Sequence, residues 1–141
     1  MNNFTIKING HSMEPFICDG DELIFSPSKN YSLGDIILFK GINGEYIAHR
    51  MIAINPPKTK GDIPLCHEIL DIDTSFGKAV AIVRNNIEIS LVGKSPWMAT
   101  FAFLSRMRQR EKLLSIIAKL LIHSLVIIFQ IIYSRPKENH I

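Results

Sequence analysis

Leu33-Gly34-Asp35-Ile36-Ile37-Leu38-Phe39-Lys40-Gly41-Ile42-Asn43-Gly44-Glu45-Tyr46-Ile47-Ala48-His49-Arg50-Met51-Ile52-Ala53-Ile54 holds the key to the fold. Two runs rich in β-branched and aromatic residues, Asp35–Lys40 and Glu45–Ile54, flank Asn43-Gly44. Both turn residues tolerate positive φ, so the stretch predicts a β-hairpin. The pattern repeats outward. Phe4, Ile6 and Ile8 alternate with polar residues, as a strand with one buried face does. Glu22–Phe25, Gly77–Arg84 and Ile87–Val92 are further candidate strands. Between them stand turn formers: Asp19-Gly20-Asp21, Ser26-Pro27-Ser28, Pro56-Pro57 and Asn85-Asn86. Asp62–Phe76 shows no period and reads as an irregular loop. Many short strands with frequent turns predict a mainly β domain over residues 1–94, a small barrel, sandwich or coiled sheet.

Size and composition limit what this domain can be. The chain has 141 residues, enough for one ordinary domain and an appendage. With 47% apolar and 21% charged residues, the chain as a whole is not disordered. Two cysteines exclude a disulfide-dense scaffold; Cys18 and Cys66 read as free thiols, with a single bridge between them as the alternative. A net charge of +3 does not argue for nucleic acid, and no nucleic-acid partner is expected. Met1–Ile8 lacks the apolar core of a secretory signal. No cofactor-binding or metal-ligand motif is present, and none is expected to be needed.

Three segments place a reactive side chain on a turn beside an apolar strand. They are Asn9-Gly10-His11-Ser12-Met13-Glu14-Pro15-Phe16-Ile17-Cys18-Asp19-Gly20-Asp21, the hairpin ending in Ala48-His49-Arg50-Met51-Ile52, and Thr59-Lys60-Gly61-Asp62 followed by Glu68. Singly, each is more often a turn or a packed histidine than a site. In this order and spacing they resemble the signal peptidase I family of serine peptidases, a fold and chemistry shared with the S24/S26 type. The likeness is closest to the branch whose base is histidine, and it covers about residues 4–92. It implies a signal-peptidase-like β fold with Ser12 as nucleophile and His49 as general base. It also implies a carboxylate beside the base. Asp62 lies in the Lys-Gly-Asp box, and Glu68 stands where that branch has a second acid. Asp62 is ranked first because its box is the better preserved, although Ile63-Pro64 replaces the usual asparagines.

The chemistry of these residue types agrees with those roles. A serine hydroxyl needs a base within hydrogen-bond reach. An imidazole, with an ordinary pKa of ~6.5, accepts a proton near neutrality, so activity is expected to rise with pH through the neutral range. A carboxylate on the other ring nitrogen fixes the tautomer. The backbone N–H of Ser12 is the expected oxyanion donor, and Gly10 offers no side-chain hydroxyl to assist it. His11 reads as a solvated turn residue. The resemblance implies an extended peptide or preprotein as substrate, cut after small residues such as Ala-x-Ala.

The C-terminal third differs in kind. Residues 95–111 read as a basic connector, a short helix or a loop, with Arg106, Arg108 and Arg110. Residues 112–134 then form a hydrophobic helix without Gly, Pro or acid up to Tyr133. Lys112–Tyr133 would be about 33 Å long at ~1.5 Å per residue, enough to cross a bilayer. Lys112, Ser115, Lys119, His123 and Gln130 fall on one narrow stripe. Three placements stay open: a span, a helix lying in the interface, or a helix docked on the domain or on a copy of itself. Membrane lipid is the expected partner of this helix and a span its favoured form. That places the protein at the cytoplasmic membrane. The flanking basic residues weakly put the β domain on the cytoplasmic side. A chain cut near Arg106 is expected to stay soluble and keep a reactive Ser12.

The leading functional expectation is therefore a small membrane-associated serine endopeptidase that processes signal or leader peptides. Two alternatives remain. One is a self-cleaving regulator of the SOS-repressor type, which shares the Gly-x-Ser-Met and Gly-Asp boxes but uses Lys where His49 stands. The other is a catalytically decayed peptide-binding module.

Overall fold

The computed structural model describes residues 2–108 and 112–136. Its strands are β1 (Phe4–Lys7), β2 (Glu22–Ser26), β3 (Ile36–Lys40), β4 (Tyr46–Ile54), β5 (Pro57–Lys60), β6 (Glu68–Ile69), β7 (Ser75–Arg84), β8 (Ile87–Ser90) and β9 (Ser134–Pro136). Two helices lie between β8 and β9: α1 (Ser95–Met107) and α2 (Lys112–Tyr133). The fold is mainly β, and all the pairings are antiparallel. Strand order is β1-β2-β7-β3-β4-β5-β6, with β8 on β7 and β9 on β8. The sheet does not close: β1 and β6 end it without pairing to each other, which corrects the barrel alternative.

Turn chemistry accounts for the strand ends. Asn85 and Asn86 have φ of 51° and 63°, the conformation a two-residue hairpin needs, and Arg84 pairs with Ile87 across them. The β3–β4 turn is longer. Gly41 N–H donates to the Glu45 carbonyl at 2.8 Å, and only Gly44 takes positive φ. Pro56-Pro57 hides a strand: Pro57 opens β5, a position where proline is tolerated, and β5 continues through Lys60. The expected loop at 62–76 is only partly irregular, because it contains β6 and a 3-10 turn at Ile72–Thr74.

The helices are not an appendage. One buried cluster joins Met13, Phe16, Ile17, Leu23 and Phe25 from the β part to Met98, Phe101 and Leu104 of α1 and Ile122, Val126 and Phe129 of α2. Pro96 in the first turn suits the start of α1. Gly34 makes the close approach possible: a Cβ there would lie 2.0 Å from the Met98 carbonyl oxygen. Lys94 sits 3.7 Å over the Tyr133 ring, tying the start of α1 to the end of α2. So Ser95–Met107 of the expected connector is a 13-residue helix, residues 109–111 of it lie outside the described residues, and side chains from both sides of residue 94 share one core.

Candidate active site

The Ser12 turn is pinned from several directions. Gly10 N–H donates to Asp19 Oδ1 at 2.7 Å, and Cys18 N–H donates to Asp21 Oδ2 at 2.7 Å. Arg84 grips Asp21 through two bonds of 2.8 and 2.6 Å. Met13, Phe16 and Ile17 are buried below the turn. Ser12 itself is half-buried at the mouth of a groove. The apolar alternation of the turn thus anchors a polar side chain above the core.

β4 carries His49 to the same place. Paired with Ile37 of β3, His49 is buried, and its Nε2 lies 3.1 Å from Ser12 Oγ. Its Nδ1 lies 3.2 Å from Glu68 Oε2. β6 supplies Glu68 through its register: Glu68 sits opposite Thr59 of β5, whose hydroxyl donates to Glu68 Oε2 at 3.4 Å. Burial pushes the Glu68 carboxyl up. The hydrogen bond and charge of His49, with help from Thr59, outweigh that and hold it below the ordinary glutamate value.

Asp62 does not reach His49. Both its carboxylate oxygens accept from Arg50, at 2.9 Å from Nε and 2.7 Å from Nη2, and both side chains are fully buried. The sequence-based ranking is reversed in the geometry: Glu68, not Asp62, is the carboxylate on the histidine. The reason is charge. A permanently charged, fully buried guanidinium needs a paired carboxylate, and Asp62 matches its fork. Phe16 and Phe101 cover the Arg50 guanidinium at 4.6 and 5.4 Å.

The chain behind the pair is equally close. Ile63 N–H donates to the Ser12 carbonyl at 2.8 Å. A Cβ on Gly61 would lie 2.8 Å from that carbonyl oxygen and 3.0 Å from His49 Nε2, so the position has no room for a side chain. Lys60 Nζ donates to the Gly61 carbonyl at 2.8 Å and to Ser105 Oγ at 3.2 Å. Burial lowers its pKa to about 8. Sequence reasoning gave no role to Thr59, Arg50 or Gly61. For Thr59 and Gly61 the signal was the Thr-Lys-Gly-Asp segment, read only for its aspartate; for Arg50 it was the charged residue directly after His49 in an apolar strand.

The groove holds about 570 Å³. Ile6, Ile8, Met13, Leu38, Ile47 and Ala48 give it apolar walls, Lys7, Glu45 and Tyr46 contribute polar groups, and Ser12, His49 and Glu68 line it too. β1 pairs only with β2, so its other edge is free among the described residues. His11 stands outside this relay, exposed and paired with Glu14 at 2.7 Å, a contact that raises its pKa. Cys18 and Cys66 are free thiols. Among the described residues, no three His, Cys, Asp or Glu side chains are grouped to hold a metal ion.

A hydroxyl, an imidazole and a carboxylate in successive hydrogen-bond reach, beside a strand edge free among the described residues, are groups that could carry nucleophilic chemistry. The family model for S24-like peptidases matches residues 1–60, which supports an S24-type, peptidase-like chain. Ser12 and His49 lie inside the matched stretch; Asp62 and Glu68 lie beyond it. No curated protein and no solved structure matches the chain.

Proposed function

We propose that the chain is a serine endopeptidase acting on extended peptides, of the signal- or leader-peptide kind. The observation that carries this is the Ser12–His49–Glu68 relay, at 3.1 and 3.2 Å. Ser12 Oγ attacks the scissile carbonyl carbon, and its proton passes to His49 Nε2. Glu68 accepts from the Nδ1 proton, which keeps Nε2 free to act as base and stabilises the imidazolium. The Ser12 N–H donates to the developing oxyanion. Histidine returns the proton to the leaving amine, and water then hydrolyses the acyl-serine by the same base. A substrate pairing with the free edge of β1 would lay alternate side chains into the apolar groove.

The membrane belongs to this proposal. Leu114–Tyr133 is long and apolar enough to cross a bilayer by length and composition. One face is packed on the domain through Ala118, Ile122, Val126 and Phe129. The opposite face leaves Ile116, Leu120, Ile127, Ile128 and Ile131 exposed. A docked helix of this kind suits a placement along the lipid surface better than the span expected from sequence, which would have to give up the Phe129 packing.

The deciding experiment is incubation of the full chain in detergent with peptides bearing Ala-x-Ala sites. Cleavage by wild type and none by Ser12→Ala is expected; equal cleavage by both overturns the mechanism. The S24-like match favours a second reading, cleavage within the chain itself. A self-cleaving chain would show a shortened product whose rate of appearance does not change on dilution.

A further inference from the structure

The end of α1 reaches the back of the catalytic pair through one short piece of chain. Ser105, in the last turn of α1, and Arg108, the residue that caps the helix, both reach Lys60–Ile63. Ser105 Oγ accepts from Lys60 Nζ at 3.2 Å, and Lys60 also holds the Gly61 carbonyl. Arg108 Nη1 donates to the Asp62 carbonyl oxygen. Asp62 is thereby gripped at its carbonyl by the cap of α1 and at its carboxylate by Arg50 of β4. The segment so held touches both reacting residues. Ile63 N–H bonds the Ser12 carbonyl, and Gly61 comes so near that a Cβ on it would lie 3.0 Å from His49 Nε2. Arg108 also leaves its Nε buried without a partner among the described residues. A merely solubilising arginine would turn that group to water; this one is held by what its other nitrogens do.

We infer that Arg108, aided by Ser105, is a positioning residue for the Ser12–His49 pair, acting through Gly61, Asp62 and Ile63. The last turn of α1 is a brace, and the helical hairpin completes the active site from behind. The inference rests on the reading of Ser12 and His49 as the reacting pair. Physically, the 3.1 Å contact between them depends on where Gly61 and Ile63 sit. Neither position is fixed by β4 or by the Ser12 turn alone. Misplacement by about 1 Å can cost about 100-fold in rate.

The test uses the full chain in detergent and two readouts. A fluorophosphonate probe reports Ser12: its oxygen displaces fluoride at phosphorus, and the proton leaves to the base. Amide hydrogen exchange at Ile63 reports the brace itself, whether or not the protein turns over a peptide. Arg108→Ala should slow Ser12 modification about 10- to 100-fold, lower kcat on an Ala-x-Ala peptide with KM unchanged, and speed Ile63 exchange. Arg108→Lys should recover part of each, and Arg106→Ala, exposed on the same turn, should alter none. If Arg108→Ala does not fold, Ser105→Ala reads the same quantities with the loss of a single hydroxyl. Wild-type modification rate and wild-type Ile63 exchange in the folded variants would overturn the brace. A wild-type chain that the probe never modifies would overturn the peptidase reading instead, and Ile63 exchange would still decide the brace.

Discussion

Asp62 and Glu68 leave one short stretch of chain and end on different partners, so their loss should read differently. Asp62→Asn leaves the Arg50 guanidinium buried without its countercharge, and should cost about 3–5 kcal/mol in chemical denaturation. Glu68 is half-buried and hydrogen-bonded to a ring. Glu68→Gln should leave the denaturation midpoint nearly unchanged while turnover falls by about two to four orders of magnitude. The reverse pattern would return the orienting role to Asp62. The depressed Glu68 pKa has a sign too: its contribution to stability is present above the ordinary glutamate range and is lost only as pH falls through the lowered value. Lys60 works the other way. Its pKa falls from 10.5 unfolded to about 8 folded, so between those values the unfolded chain binds more protons. Stability should therefore carry a rising component from about pH 8 to 10.5 that is absent in Lys60→Met, measurable as unfolding free energy against pH. Ser12 and His49 were legible in sequence because each sits inside a compact motif. Glu68 was a candidate too, but its rank below Asp62 was not legible as wrong, because Glu68 reaches His49 only through the pairing of β4, β5 and β6, and Pro56-Pro57 masks β5 as a turn.

At the scale of elements, α2 carries two apolar faces with different duties. The inner face joins an aromatic cluster in which Phe129 lies 5.6 Å from Phe16, 6.0 Å from Phe101 and 5.7 Å from Trp97 between ring centroids. Phe129→Ala should cost about 3–5 kcal/mol, the range for an aromatic removed from a packed core. Leu120, at 65% exposed, fills no such site, and Leu120→Ser should move the unfolding midpoint by less than about 0.5 kcal/mol. Similar losses at both positions in a thermal or denaturant melt would mean that both faces are covered. The two duties could not be separated from the sequence. The inner positions 118, 122, 126 and 129 and the outer ones are all Leu, Ile, Val, Phe or Ala, so periodicity showed only the polar stripe. What chooses the inner face is shape: the aromatic Phe129 fits against Phe101 of α1 and Phe16. The strand pattern was far more readable, since alternation and turn residues are local, whereas the docking of a helix is not.

For the whole molecule, the β part and the two helices share one buried core. Phe16 is covered by Phe101 and Phe129, and Phe16 in turn covers Arg50. Cutting the chain near Arg106 removes α2 and Arg108 together. It would strip one side of that stack and open the buried Arg50–Asp62 pair to water. Such a truncation should aggregate or unfold rather than remain a soluble, reactive domain; a sharp melting transition with wild-type Ser12 modification would contradict the shared core. The proposed placement on the lipid surface rests on the outer face of α2. Ile116, Leu120, Ile127, Ile128, Ile131 and Ile132 form an exposed apolar band there, the kind of surface that marks a lipid or partner contact. Lys119 and His123 are exposed beside it, where they would meet lipid headgroups while the band enters the acyl boundary. The full chain should float with anionic vesicles, and replacing Leu120, Ile128 and Ile131 together by Ser should abolish flotation without lowering the melting temperature by more than a few degrees. Lys119→Leu should tighten binding to neutral vesicles, because it removes a charge from the edge of the inserted band. A full-length chain that stays monomeric without detergent and does not float would end the membrane reading, while leaving the groove chemistry to be judged by Ser12 alone.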